Sequence, residues 1–334
     1  MATLREVARR AGVSVATASR VASGSVPVSP DTRQRVERTM RELLYVPPGR
    51  KTATGAIGLL VPELANPIFP AFAQEMEAHA TAAGYASILC NTRSAAFREV
   101  DYVHMLLDHE VEGMIFVSCE MTNLSGDHDH YARLVEEGAR MVFVNGALNS
   151  LDIPAVGVDE RAAGELATQH LIDLGHSRIG FVAGPGHYLP TREKAAGWHA
   201  ALLASGLHPN GLVANGDFSV EGGFRAAREL LLGRPEPPTG VICSSDQMAI
   251  GVLRAAADRG LRVPEDFSVV GFDGIEAGAW TQPPLTTIEQ PIPEIARTAV
   301  DALRALIEHP QSLPHSYFRP RLCARSSTAR PPPA

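Results

Sequence analysis

Only four cysteines occur in the 334 residues, Cys90, Cys119, Cys243 and Cys323, and no two form a C-x-x-C pair. A disulfide framework or a cysteine-built metal or redox centre is therefore not expected. No apolar run approaches roughly 20 residues, so no membrane-spanning helix is expected. The opening MATLREVARR is charged and amphipathic where a secretory leader would place an apolar core and a small-residue cleavage site. The expectation is a cytoplasmic chain with reduced thiols. G-x-S-x-G and H-E-x-x-H are also missing, and the histidines are scattered, which leaves no catalytic constellation. Gly184-Pro185-Gly186 lacks the third glycine of a dinucleotide fingerprint and is interrupted by proline. Asp127-His128-Asp129-His130 alternates residue types that bind metals, yet in a polar stretch after Gly126 it reads more simply as a solvated loop. Neither an enzyme, a cofactor nor a metal is expected.

What is present divides the chain. A length of 334 residues with 45% hydrophobic residues suits one small folded unit plus one or two larger ones. The net charge of -7 conceals an asymmetry: residues 1–51 hold ten Lys/Arg against four Asp/Glu, +6, leaving -13 for the rest. A basic head on an acidic body suggests that the head alone meets a polyanion such as DNA. Between them, PPGRKTATG (47–55) has linker composition, with no apolar period.

Three helices are expected in the head. Leu4, Val7, Ala8 and Ala11 recur at i, i+3, i+4 and i+7, one buried stripe. Gly12 stops that helix, and Ser14 is a good N-cap for a second over about 15–21. Ser29-Pro30-Asp31 opens a third, ended by the prolines after Tyr45. A helix, a glycine turn and a second helix with small residues at its exposed start make a helix-turn-helix, whose second helix reads the major groove. Val15 and Ala16 offer apolar contact, as to a thymine methyl, and Arg20 can reach a guanine edge. Ser14, Thr17 and Ser19 are placed for phosphates. Thr3 and Arg33 complete the expected DNA-facing set in the head.

Beyond residue 55, short apolar runs alternate with amphipathic helices. Strands are expected at 56–61, 86–89, 113–117, 140–144, 155–158, 178–182, 240–243 and 268–272. Helices are expected at 69–83, 98–109, 160–174, 194–204, 222–232, 246–259 and 292–307. Such alternation means parallel sheets covered on both faces. There are too many units for one convenient sheet, so two similar lobes with a cleft between them are expected.

The head resembles the lactose/galactose repressor (LacI/GalR) family. Its V-S-x-x-T-x-S-R-V, V-S-x-x-T-R-x-R-V and E-L-x-Y-x-P are matched by Val13 to Val21, Val28 to Val36 and Glu42 to Pro47, with Ala18 in place of the more usual valine. The resemblance continues through Asn66-Pro67-Ile68-Phe69, Leu174 to Gly180, Gly197-Trp198, Ser245 to Ala249, Val270 to Asp273 and Pro284 to Ile288. It implies an all-α helix-turn-helix head on an α/β two-lobed, periplasmic-binding-protein-like domain. The boundaries expected are 1–46 for the head, 47–55 for the linker and 56–329 for the effector-binding body. Within that body the N-lobe is about 56–158 and 288–316 and the C-lobe about 159–287 and 317–329; a disordered tail follows at 330–334. The tail shows no leucine heptad, so the family's occasional tetramerisation helix is not expected.

The resemblance also implies partners. These are a palindromic double-stranded DNA operator (with a central CG step, from the Val15-Ala16 pair), a small-molecule effector that suits a sugar, and a second copy of the chain; a membrane is not among them. Arg192 matches the family's main ligand-gripping arginine. Asp246 and Asp273, each just after an apolar strand, sit where α/β folds place ligand groups, although either could instead cap a helix. Phe218 matches an aromatic stacking position, Phe69 faces it from the other lobe, and Asp159 and Gln290 lie at lobe crossings. One departure stands out. The family's hinge helix carries a leucine that wedges into the minor groove, but only residues 49–56 separate Pro48 from Ile57, and none is leucine. Arg50 and Lys51 would then supply backbone contacts alone, with a smaller DNA bend. Two rivals remain at this stage, a sugar-binding transport protein and an α/β sugar-handling enzyme.

Overall fold

The computed structural model describes residues 3–23, 28–43, 45, 55–93, 97–209, 212–233, 235–309 and 311–333. Contacts divide the chain into two units, 1–54 and 55–334. In the first, α1 (Leu4–Ala11), α2 (Val15–Ser23) and α3 (Pro30–Glu42) close on Val7, Ala8, Ala11, Ala18, Val36 and Met40. Gly12 takes φ 62°, and the amide of Val13 returns to the Ala8 carbonyl at 3.0 Å, which reverses the chain after α1. Ser14 caps α2 by accepting from the Thr17 amide at 3.0 Å.

The second unit holds two six-stranded sheets among the described residues. Those of the N-lobe are β1 (Gly55–Val61), β2 (Tyr85–Asn91), β3 (Gly113–Val117), β4 (Met141–Val144) and β5 (Ala155–Val158), with α4 (Ile68–Ala83), α5 (Glu99–Asp108) and α6 (Asp129–Glu136) between them. The C-lobe follows with α7 (Glu160–Asp173), β6 (Ile179–Ala183), α8 (Leu189–Ala204), β7 (Val213–Asn215), α9 (Val220–Leu232), β8 (Gly240–Cys243), α10 (Asp246–Ala257), β9 (Ser268–Asp273) and β10 (Thr286–Glu289). The chain then returns through α11 (Ile292–Glu308) and β11 (Ser316–Phe318) to the N-lobe, and ends with β12 (Arg321–Cys323) in the C-lobe. Sheet orders are β11-β5-β4-β3-β1-β2 and β12-β10-β9-β8-β6-β7. All pairings are parallel except β12 on β10. β3, β4, β5, β6, β8 and β9 are buried at every residue, as strands covered on both faces must be. No described helix is long and apolar enough to cross a membrane.

Three differences from expectation have physical causes. The second and third lobe exchanges fall about two residues later than expected, since Ile288 pairs with Phe272 in the C-lobe and Phe318 with Val158 in the N-lobe, whereas the first falls after Val158 as expected. The 127–130 stretch is no loose loop: α6 starts inside it because Tyr131 is fully buried, its hydroxyl on the Glu99 carboxylate and accepting from the Met121 amide. His128 Nε2 lies 2.9 Å from the Glu120 carbonyl, so the alternating polar residues are engaged locally. Pro331, in the segment expected to be disordered, is half-buried with Cδ beside Gly175. Just before it, the carbonyl of Ala329 lies 2.9 Å from His176 Nε2.

In the C-lobe, α7 and α8 cross at reciprocal glycines. A Cβ on Gly164 would strike the Lys194 carbonyl, and one on Gly197 the Arg161 carbonyl. Backbone cannot yield as a flexible side chain does. Gly197→Val is therefore expected to lower the unfolding free energy by about 1–3 kcal/mol. Gly186→Ala, where nothing stands within 4 Å of the new Cβ, should change it by less than about 0.5 kcal/mol. Urea titration of both variants measures this; equal losses would show that the helix contact is not tight.

Candidate functional site

The C-terminal ends of both parallel sheets face one inter-lobe cavity of about 70 Å³. Most wall residues come from the loop or helix start after a strand: Asn66 and Phe69 after β1, Thr122 after β3, Asn145 after β4, Phe218 after β7, Ser244 and Ser245 after β8, Asp273 at the end of β9 and Gln290 after β10, while Lys194 comes from the second turn of α8. Ligands of α/β sheets bind at such strand ends. Ser118, Asn145, Phe218 and Asp273, all of the cavity wall, take φ of 49°, 59°, 67° and 124°. Among the described non-glycine residues only Glu110 shares that left-handed region. Backbone strain is thus concentrated at the cavity, a mark of functional geometry.

Three buried ionisable groups, Lys194, Glu160 and Asp273, define its electrostatics. Lys194 Nζ lies 3.0 Å from Glu160 Oε2 and 3.8 Å from the centroid of the Phe272 ring, with its side chain only 6% exposed. Asp273 accepts from Gln290 Nε2 at 2.9 Å, and Gln290 Oε1 accepts from Asn145 Nδ2 at 3.0 Å. Burial and the neighbouring Asp246 charge drive the Asp273 carboxyl well above the usual carboxylate range, against the pull of Lys194. Burial likewise raises Glu160, with Lys194 opposing. Asn145 Oδ1 and Ser244 Oγ are buried with no hydrogen-bond partner, so the wall offers polar atoms to a hydroxylated molecule.

The expected effector residues separate accordingly. Phe69, Phe218, Asp273 and Gln290 line the cavity. Arg192 does not: it is exposed on the other face of α8. Lys194 stands in the cavity instead, because two residues turn a helix through about 200°. The buried stripe Thr191, Lys194, Gly197, Trp198, Ala201 and Leu202 was readable as helical periodicity and marks the inward register. Asp246 is also removed from the cavity. Its carboxylate accepts from the amides of Gly274 and Ile275 at 2.8 Å and from Thr287 Oγ1 at 2.6 Å, pinning the turn that presents Asp273. The helix cap is Ser245, which accepts from the Met248 amide. Asp159 caps α7 through the Ala162 amide and lines an adjoining groove rather than the cavity. Glu160, Lys194, Asn145 and Ser244 were not anticipated.

In the head, Val15 is 45% exposed at the start of α2, and Ala16, Ser19 and Arg20 are exposed along it. Thr17 is half-buried, its hydroxyl 2.9 Å from that of Ser14. Thr3 caps α1 through the Glu6 amide, and Arg33 is exposed in the first turn of α3. Arg50, Lys51 and the expected linker up to residue 54 lie outside the described residues.

Burial lifts Asp246 from 3.8 to about 6, while Thr287, Ile275 and Gly274 pull the other way. A carboxyl whose folded pKa is raised takes up a proton on folding between the two values, so its contribution to stability is present at low pH and is lost as pH rises through that window. The stability of the native chain relative to Asp246→Asn should therefore decline by on the order of 2–3 kcal/mol between pH 4 and 6.5. Urea unfolding across that range reads the difference; a constant or growing one would contradict the assignment.

Residues 3–48 match the family described as bacterial regulatory proteins, lacI family, and residues 168–328 match the periplasmic binding protein-like domain. A transcriptional regulator encoded in the aml 5′ region of Streptomyces limosus is 43% identical over 98% of this chain and 94% of its own length. The regulator MalR of Streptomyces coelicolor is 39% identical over 98% and 97%. Among solved structures, a CelR–cellobiose complex superposes with a TM-score of 0.73 at 32% identity, covering 98% of this chain and all of the other. The lac repressor dimer bound to operator and the anti-inducer ONPF gives 0.75 at 30% identity, covering 98% and 99%. These relatives are regulators and not enzymes. With its helix-turn-helix head and its periplasmic-binding-protein-like body, the chain is a transcriptional regulator of the lacI family.

Proposed function

We propose that this regulator acts in the cytoplasm as a repressor, binding a palindromic operator as a homodimer and taking a neutral sugar in the inter-lobe cavity as its effector. The observation that carries the effector is the cavity wall, where Phe69 and Phe218 supply apolar faces and Lys194, Asp273, Gln290, Asn145 and Ser244 supply donors and acceptors. Such a wall suits a ring with apolar C–H faces and equatorial hydroxyls. The CelR structure with cellobiose supports the class of ligand, and the lac repressor dimer on its operator supports the assembly. Closure of the lobes on the sugar changes the spacing of the two heads, and DNA alters sugar affinity by the same factor.

On the DNA, Val15 and Ala16 meet thymine methyls and Arg20 a guanine edge, while Thr3, Ser14, Thr17, Ser19 and Arg33 hold phosphates. Arg50 and Lys51 contact the backbone without a wedging leucine, so the operator bends less than with a hinge-bearing relative.

A thermal-shift screen against sugars, sugar phosphates and nucleosides tests the effector, because a ligand of the folded state raises stability with concentration. A neutral sugar should raise the melting temperature; Lys194→Met should weaken it by about a hundredfold, the loss of a buried charged contact, and Arg192→Ala should leave it intact. The reverse pattern would restore Arg192 to the cavity. For DNA, Arg20→Ala should cost about 1–3 kcal/mol and relax specificity at one position of each half-site, whereas Arg33→Ala should weaken all sequences alike. Fluorescence anisotropy on operator variants, with a circular-permutation gel for the bend, checks both. Equal losses on every sequence for Arg20→Ala would remove it from base readout, and a bend equal to that of a hinge-bearing relative would remove the linker argument.

A further inference from the structure

A second cavity, of about 580 Å³, adjoins the first. Asn145, Glu160 and Pro190 line both, so three side chains form the partition. The larger space lies between the N-lobe loop after β4, the starts of α7 and α8, and Tyr317 on β11. It therefore touches both lobes beside the first crossing, from Val158 to Asp159. Resting on the reading of the effector as a neutral sugar, we propose that this second cavity is an extension subsite and that the effector is an oligosaccharide of two or more units. One ring lies beside Lys194 and the next over Tyr317.

Size argues first. The outer space, about 580 Å³, is larger than the inner cavity, about 70 Å³, and adds room beside it for a further unit. The lining argues second. Leu148, Leu189, Pro190 and Tyr317 present apolar surface, with Tyr317 56% exposed, a large value for an aromatic ring on a short strand. Asn149, Ser150 and Glu193 surround that surface with groups able to bond hydroxyls. Apolar faces ringed by carboxylates and amides match the two faces of a pyranose. Charge argues third. Glu160 is paired with Lys194, and of the remaining charged lining residues Asp159 and Glu193 outnumber Arg161, which is itself 3.3 Å from Glu165. A phosphorylated or carboxylated chain is repelled there, and a neutral one is not. Finally, Asn145 Oδ1, buried and unpartnered, belongs to the partition, where the hydroxyls of two linked rings would pass.

The test is titration calorimetry of the full chain with glucose, galactose and ribose, and with α-1,4- and β-1,4-linked glucose and galactose dimers and trimers. A disaccharide should bind about tenfold or more tighter than its constituent monosaccharide, since the second ring adds contacts without a second loss of translational freedom. Tyr317→Ala and the space-filling Leu148→Trp should each abolish that gain and leave monosaccharide affinity within about twofold. Tyr317 is exposed, so its variant serves even where the tryptophan misfolds. A monosaccharide that binds as tightly as any longer chain would overturn the subsite alone, as would variants that weaken both lengths equally. If no saccharide of any length binds, the sugar reading itself falls, and the subsite with it.

Discussion

A lysine ammonium withdrawn from water must find compensation within a few ångströms, and the C-lobe is arranged around supplying it to Lys194. Glu160 provides the charge and Phe272 an aromatic face. Both depend on α7 and α8 approaching at Gly164 and Gly197, since any side chain there would force the helices apart and separate the ion pair. With Asp273 buried nearby, one cation faces two carboxyl groups, and burial raises both carboxyls. The cavity is thereby rich in acceptors, rigid, and close to neutral. A polyhydroxylated molecule fits such a place better than a free anion.

The lobes are held together by more than the three chain crossings. Asn145 reaches Gln290, which reaches Asp273, at the back of the cavity. At the rim, the Leu124 amide donates to the His187 carbonyl at 2.8 Å and Gln247 Nε2 to the Ala65 carbonyl at 3.3 Å, while Arg93 lies over the Tyr188 ring. These contacts join residues of the N-lobe to residues of the C-lobe. Anything that changes the lobe angle has to exchange them. Asp246 contributes from behind: it grips the turn after β9, so the cavity-lining Asp273 inherits its position from a residue outside the cavity.

Much of this was legible residue by residue. α1 was expected at its observed limits because its apolar stripe runs from Leu4 to Ala11 and ends at a glycine; the capping role of Thr3 emerged only in the structure. The doubly covered strands announced themselves as continuous apolar runs. The short strands β7, β11 and β12 did not, since three residues carry no period and only a neighbouring edge makes them strands. α6 stayed hidden for a similar reason: its first turn is polar, and Tyr131 becomes a core residue only when the Glu99 carboxylate is there to receive its hydroxyl.

In the cavity, Phe69, Phe218, Asp273 and Gln290 could be named from the family resemblance, and each lies within a few residues of a strand end or a helix start. Whether Arg192 and Asp246 enter the cavity could not be judged so. A helix places residues two apart on opposite faces, and which face is inward depends on the partner helix. A buried carboxylate is a ligand group or a structural anchor according to which amides surround it. The sequence by itself determined the longer elements, their order, the basic head and most of the strand ends that form a cavity, because those follow from local periodicity, capping and charge. Only the tertiary structure decided that Lys194 rather than Arg192 enters the cavity, that Asp246 serves the backbone, and that a second space adjoins the first, because each rests on contacts between residues far apart in the chain.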